Sequence, residues 1–218
     1  MKLSSRFHRA FSLLAVAVVA LSFALPAFAL TEGKEYRRIP QRQVEAPAGK
    51  VEVLYFFSYG CSHCAQMTPL VNEWKKNLSE DVVFKKAPVI WGNDTWKGLS
   101  RAYFTIDLLG KGELDNKAFA ALQQQSLKLY VEKDFLDWLS NNGVDRKKAE
   151  DMYKSFAVSN KIAQSERLEK DYKVQSVPHI YVNGNIEVVT ENIASSSDFL
   201  KVLNEVIEVA RKDNQSKK

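Results

Sequence analysis

Two cysteines and a histidine fall within four residues, Cys61-Ser62-His63-Cys64, and these are the only cysteines among 218 residues. Thiols at this spacing interconvert between a dithiol and a disulfide, a two-electron change. The ring they close is too small to restrict much unfolded-chain entropy, so redox chemistry explains the pair better than a stabilising staple does. A secreted domain stapled by disulfides would carry more cysteines at wider spacing. Zinc is the competing use of C-x-x-C. A four-ligand site would need Cys61, Cys64, His63 and His179, every Cys and His beyond the first 29 residues. Adjacent residues 63 and 64 of a helix point in different directions, which argues against joint ligation. No metal and no cofactor beyond the cysteine pair is expected.

The elements around the motif assign roles within it. Val51 to Phe57 reads V-E-V-L-Y-F-F, a β-branched and aromatic run that suits a buried central strand, and Gly60 breaks it. From Ser62 to about Leu78 the pattern is helical, with Met67, Leu70, Val71 and Trp74 at i, i+3, i+4, i+7 and a kink expected at Pro69. Cys61 therefore stands where a helix begins, among unpaired backbone N–H groups and the positive end of the dipole. A thiolate there is stabilised and its pKa falls. Cys61 is expected to be the exposed nucleophile. Cys64, one turn in, is expected to be more buried and to resolve a mixed disulfide by attacking Cys61. His63 can add positive charge or a hydrogen bond to the thiolate, and Ser62 a hydroxyl hydrogen bond. Each effect favours the reduced form and makes the disulfide a stronger oxidant. The plainer reading of His63 is an exposed spacer.

Asp81 to Ala87 is a second strand, ended before Pro88, and strand–helix–strand at this spacing predicts a parallel βαβ unit. A block of helical stripes follows. Asp94 is the expected N-cap of the first, with Trp96, Leu99, Tyr103 and Ile106 on one face and Gly110 as the stop. Asp115 starts a second with Ala118, Phe119 and Leu122. Phe135, Leu136 and Leu139 mark a third. Asp145 caps a fourth with Ala149, Met152, Tyr153 and Phe156. A fifth runs from about Ala157 to Tyr172. Strands return at His179–Val182 and Ile186–Val189 around Asn183-Gly184, a strong hairpin signal. Pro178 precedes the first of these, where a missing donor is tolerated. A last helix starts near Ser196 or Ser197, with Phe199, Val202, Leu203 and Val206 inward, and the polar tail from Arg211 is expected to fray. The order predicts an α/β fold, a sheet domain from 30–92 and 173–218 interrupted by a helical insertion at 93–172.

The first 29 residues read as a leader. Lys2, Arg6 and Arg9 precede an uncharged apolar run from Ala10 to Leu25, and Ala27-Phe28-Ala29 supplies small residues for cleavage after Ala29. An uncleaved anchor is the alternative; the short run and Pro26 favour cleavage. Of the formal charge of +5, three basic residues lie in the leader, leaving about +2, a balance that gives no reason to expect nucleic acid or anionic lipid as a partner.

Three segments together resemble the DsbA family of periplasmic thiol:disulfide interchange proteins. They are Phe56-Phe57-Ser58-Tyr59-Gly60-Cys61-Ser62-His63-Cys64, the helix from Phe156 to Tyr172, and Val177-Pro178-His179-Ile180-Tyr181-Val182-Asn183-Gly184. The resemblance implies a thioredoxin-like fold with an inserted helical domain and a strongly oxidising Cys61–Cys64 disulfide. It implies a cis Pro178 packed on that disulfide, and a Val177 backbone that hydrogen-bonds a substrate strand. The implied partners are reduced or unfolded exported proteins and a DsbB-type membrane thiol oxidase, and the implied compartment is the periplasm. Departures stand out. Ser62 occupies a position where the best-known members have proline. Tyr55 matches a buried acidic residue of the central strand. His179 follows the proline where smaller or uncharged residues are usual, either modulating the site or simply filling the strand. An isomerase or reductase on the same fold is the nearest rival. Exported isomerases usually carry an N-terminal dimerisation domain, and the roughly 31 residues between Leu30 and Cys61 are too few for one, so a monomer is expected. A holdase with an incidental C-x-x-C is the rival from another class.

Overall fold

A computed structural model describes residues 30–190 and 195–216; the leader and its cleavage point lie outside them. The elements run β1 (Tyr36–Arg38), β2 (Val51–Phe57), α1 (Ser62–Lys76), β3 (Val82–Pro88), α2 (Asp94–Leu108), a 3-10 turn (Gly112–Leu114), α3 (Asp115–Gln123), α4 (Glu132–Asn141), α5 (Arg146–Tyr153), α6 (Phe156–Asp171), β4 (His179–Val182), β5 (Ile186–Val188) and α7 (Ser196–Ser216). The five strands form one mixed sheet in the order β1-β5-β4-β2-β3. Strand β2 pairs parallel with β3 and antiparallel with β4, which makes the expected βαβ unit and the expected helical insertion between β3 and β4.

The run in β2 is continuous because both of its faces are covered; all seven residues are buried. Alternation divides them. Val51, Val53, Tyr55 and Phe57 join the cluster that holds Cys64 and Trp74 of α1, Leu203 and Val206 of α7, and Tyr103 and Phe119 of the helical block. Leu54 and Phe56 face Ala87, Val89, Tyr172, Val174 and Tyr181 on the other side. The exception in composition, Glu52, is buried with its carboxylate paired to Lys85 Nζ at 2.9 Å and accepting from the Glu45 N–H at 3.0 Å, which offsets its desolvation.

The hairpin turn is the expected one. Asn183 and Gly184 both have positive φ, 49° and 70°. A side chain at 184 would also collide with the carbonyl oxygen of Arg42, 2.7 Å from an ideal Cβ, so glycine serves both conformation and packing. Gly98 has the second reason alone: its Cβ would lie 2.5 Å from the Tyr130 carbonyl oxygen, and its absence lets α2 pack directly on that loop.

Four expectations change, and one strand is added. The first helix of the block is capped by Asn93, whose side-chain oxygen accepts from the N–H groups of Thr95 and Trp96 at 2.9 and 3.2 Å; Asp94 is already inside the first turn. Phe156 does not continue the stripe of α5. Ser155 caps a new helix there, and Phe156 begins it 84 % exposed. Leu70 is exposed, because the buried stripe of α1 is Cys64, Thr68, Val71 and Trp74; Pro69 lies inside the helix, as expected. The C-terminal segment is not frayed through residue 216. Arg211 makes paired hydrogen bonds to Asp81 at 2.6 and 2.8 Å, and Asp213 pairs with Arg38 at 2.5 Å. Strand β1, absent from the sequence reading, forms an edge against β5.

Candidate active site

Strand β2 ends at Phe57, and the chain turns tightly before α1. The Cys61 N–H donates to the Ser58 carbonyl at 3.0 Å, and the Gly60 N–H donates to Ser58 Oγ at 3.2 Å. Cys61 is the N-cap of α1, in extended conformation (φ −93°, ψ 115°), and its Sγ accepts from the Cys64 N–H at 3.1 Å. A sulfur thus occupies the place of a capping oxygen at the positive end of the helix. Cys61 and Cys64 are joined as a disulfide with Cα atoms 5.2 Å apart. Their exposure is unequal: 9 % for Cys61 and 0 % for Cys64. Cys64 is the more buried of the two, as expected, but Cys61, expected to be exposed, is itself largely buried and shows only an edge to solvent.

Ser62 and His63 are exposed on the first turn. With the sulfurs oxidised there is no thiolate for either to stabilise, and neither side chain has a hydrogen-bond partner among the described residues. Across from the disulfide, the Val177–Pro178 peptide bond is cis. The Val177 carbonyl oxygen lies 3.5 Å from Cys61 Sγ, a close approach rather than a hydrogen bond, since a disulfide sulfur carries no proton. The structure therefore brings together Cys61, Cys64, Val177 and Pro178, with Ser62 and His63 at the rim.

His179 lies on the other face of the sheet. It stacks on Tyr181 at 5.0 Å, and its Nε2 is 2.5 Å from Glu187 Oε1. Arg37 holds the same carboxylate through two nitrogens, at 2.5 and 2.7 Å. Burial alone would raise the Glu187 pKa, but His179 and Arg37 outweigh it and bring it down to about 2.

Four further residues take part to which the sequence analysis gave no role in the site. Beneath the turn, the buried Tyr59 donates its hydroxyl to Asp115 Oδ1 at 2.9 Å. Asp115 also pairs with Lys86 Nζ at 2.5 Å, both side chains being buried. The ammonium lies 4.3 Å from the centre of the Phe57 ring. Burial pushes the Lys86 pKa down, and Asp115 opposes that shift only in part. From the far end of α3, Gln123 Nε2 donates to the carbonyls of Tyr59 and Cys61 at 2.7 and 3.1 Å. One sign was available for Lys86: it shares a strand face with Val82 and Phe84, which marks a charge on an inward row. Tyr55, beside Lys86 in the register, is fully buried between Phe57 and Phe84, and burial raises its phenol above the ordinary range. The central strand thus carries a neutral phenol where the resemblance placed an acid.

Comparison with known proteins gives a consistent result. Residues 92–203 match the model of the DSBA-like thioredoxin domain; this span begins after the two cysteines and includes Val177 and Pro178. The thiol:disulfide interchange protein DsbA of Burkholderia cepacia is 35 % identical over 195 residues, 87 % of this chain and 90 % of that one. DsbA of Bordetella parapertussis is 30 % identical over 203 residues, 92 % of this chain and 96 % of its own length. The crystal structure of Pseudomonas aeruginosa DsbA superposes with a TM-score of 0.80 at 30 % identity, covering 87 % of this chain and 98 % of that one.

Proposed function

The chain belongs to the DsbA family of thiol:disulfide oxidoreductases, and from that premise we propose that Cys61–Cys64 is the disulfide it transfers, in the donating direction, to reduced exported proteins. The observation that carries this reading is a disulfide capping α1, with an edge of Cys61 reaching solvent and Cys64 sealed behind it.

The exchange balances as two thiolate attacks. A substrate thiolate attacks Cys61 Sγ; the Cys61–Cys64 bond breaks, and Cys64 leaves as a thiolate that takes up a proton. A second substrate thiolate then attacks the substrate sulfur of the mixed disulfide, and Cys61 departs as a thiolate. Two electrons have moved from substrate to protein; of the two protons the substrate thiols gave up, one is on Cys64 and the other is in solvent while Cys61 stays a thiolate. Departure of Cys61 is fast because the end of α1 stabilises its thiolate. In that reduced state the Ser62 hydroxyl and the His63 imidazole add their hydrogen bond and charge. The Val177 backbone pairs with an extended substrate segment in the manner of strand addition, and Pro178 keeps a backbone donor away from the sulfurs. A DsbB-type membrane thiol oxidase restores the disulfide. We place this cycle in the periplasm, after export and removal of the leader at Ala29, and assign the sheet domain to 30–92 and 173–218 and the insertion to 93–172.

Mixing the oxidised protein with an equimolar reduced, unfolded two-cysteine substrate tests the function. One disulfide should appear in the substrate for each Cys61–Cys64 disulfide consumed, with two new thiols on the protein. Acceleration of substrate folding without loss of the protein's disulfide would point instead to a holdase.

A further inference from the structure

We propose that Gln123 is a positioning residue for Cys61, through which the helical insertion sets the oxidising strength of the disulfide. The inference rests on the exchange chemistry assigned above to Cys61–Cys64. Helix α3 grips the turn before the motif at two points. Its first residue, Asp115, accepts the Tyr59 hydroxyl, and its last, Gln123, donates from one amide nitrogen to the carbonyls of Tyr59 and Cys61. Two carbonyl acceptors at one side-chain atom fix that atom as the NH2 group.

The two carbonyls lie on either side of Gly60, the residue of the turn with the widest conformational freedom. Gln123 therefore bridges the joint most able to move. What it holds is the N-cap geometry of Cys61. The Cys61 carbonyl also receives the first helical bond, from the Ala65 N–H at 3.1 Å, and the extended ψ turns Sγ back over the end of α1 to meet the Cys64 N–H. In the oxidised protein the covalent bond to Cys64 keeps Sγ there. In the reduced protein only non-covalent contacts do so, and the thiolate is stabilised only while it stays at the helix end. Loss of the Gln123 donors is therefore felt more by the reduced form than by the oxidised one. Gln123 is exposed, so replacing it leaves no buried hole.

The test is equilibrium with glutathione, in which reduced protein and oxidised glutathione exchange for oxidised protein and two reduced glutathiones, together with ultraviolet titration of the Cys61 thiolate. Gln123→Leu removes the donors. Gln123→Glu keeps shape and sets a carboxylate against two carbonyls. Gln124→Glu places the same charge one residue along α3, and no side-chain contact of Gln124 is lost among the described residues. Both Gln123 variants should hold their disulfide more firmly than the parent, with the constant of that exchange higher by about threefold to tenfold, tenfold being about 30 mV. The thiolate titration should move up by roughly half a unit to one unit. Gln123→Glu should exceed Gln124→Glu. A merely structural role would lower the melting temperature of both redox forms equally and leave the constant unchanged. That result in either Gln123 variant, or an equal shift in Gln124→Glu, overturns the proposal; if Gln123→Glu does not fold, Gln123→Leu decides. The parent's own constant reports on the oxidase reading, whereas the ratio of variant to parent reports on Gln123.

Discussion

Cys64→Ser is expected to accumulate mixed disulfides with exported proteins, and Cys61→Ser to accumulate almost none. Both variants should lose disulfide donation altogether, since neither can form the Cys61–Cys64 bond. The difference lies in what is left. In Cys64→Ser the surviving thiol caps α1 with an edge open to solvent, next to the Val177 carbonyl. It is ionised more readily than an ordinary thiol, and nothing remains to expel a partner bound to it. In Cys61→Ser the surviving thiol has no exposed surface at all, and a substrate sulfur cannot approach it in line. Non-reducing gels of cells producing each variant should show at least about a tenfold difference in trapped adducts, as the accessibility contrast implies. Equal trapping would remove the assignment of attacking and resolving roles.

The second large effect concerns stability. Asp115→Leu should cost about 3–5 kcal/mol, the usual consequence of leaving one buried charge without its partner. Lys86 would keep the faces of Phe57 and Tyr103 around its ammonium and the more distant charge of Asp107. The Tyr59 hydroxyl would lose its acceptor in the same substitution. For a chain of this length that is a fall in melting temperature of roughly 10 °C or more. Lys86→Met combined with Asp115→Leu should recover most of the loss, because an apolar pair of similar volume has no desolvation to offset. Thermal and urea unfolding of the oxidised proteins would check both. A single-variant cost below about 1 kcal/mol would show that the pair is solvated in practice, as surface pairs are.

The limits of sequence reading here have physical causes. Strand β2, the parallel pairing with β3 and the Asn183-Gly184 turn were legible because each is written in a local pattern: a two-sided apolar run, a strand–helix–strand spacing, and two residues that tolerate positive φ. Cys61 at the start of α1 followed from the same reading. Strand β1 was not legible, since Tyr36-Arg37-Arg38 has three residues, two of them charged, and exists because β5 offers an edge. Asn93 and Asp94 are both good caps, and only backbone geometry decides between them. Phe156 fitted a helical spacing that the Ser155 cap interrupts. The C-terminal tail looked polar enough to fray, but the partners of Arg211 and Asp213 are Asp81 and Arg38, more than a hundred residues away. Gln123 belongs to the same class: its contacts with Tyr59 and Cys61 span more than sixty positions, and no periodicity along one helix reports them.

The most direct measurement of disulfide donation is the equilibrium of the Cys61–Cys64 pair with glutathione buffers of known potential, followed by trapping and counting of thiols. A sulfur that caps α1 and accepts the Cys64 N–H favours the reduced form, so the pair should be half reduced at a potential more positive than about −180 mV. Half-reduction near about −270 mV, where reducing thioredoxins lie, would contradict donation and make the chain a reductase on the same fold.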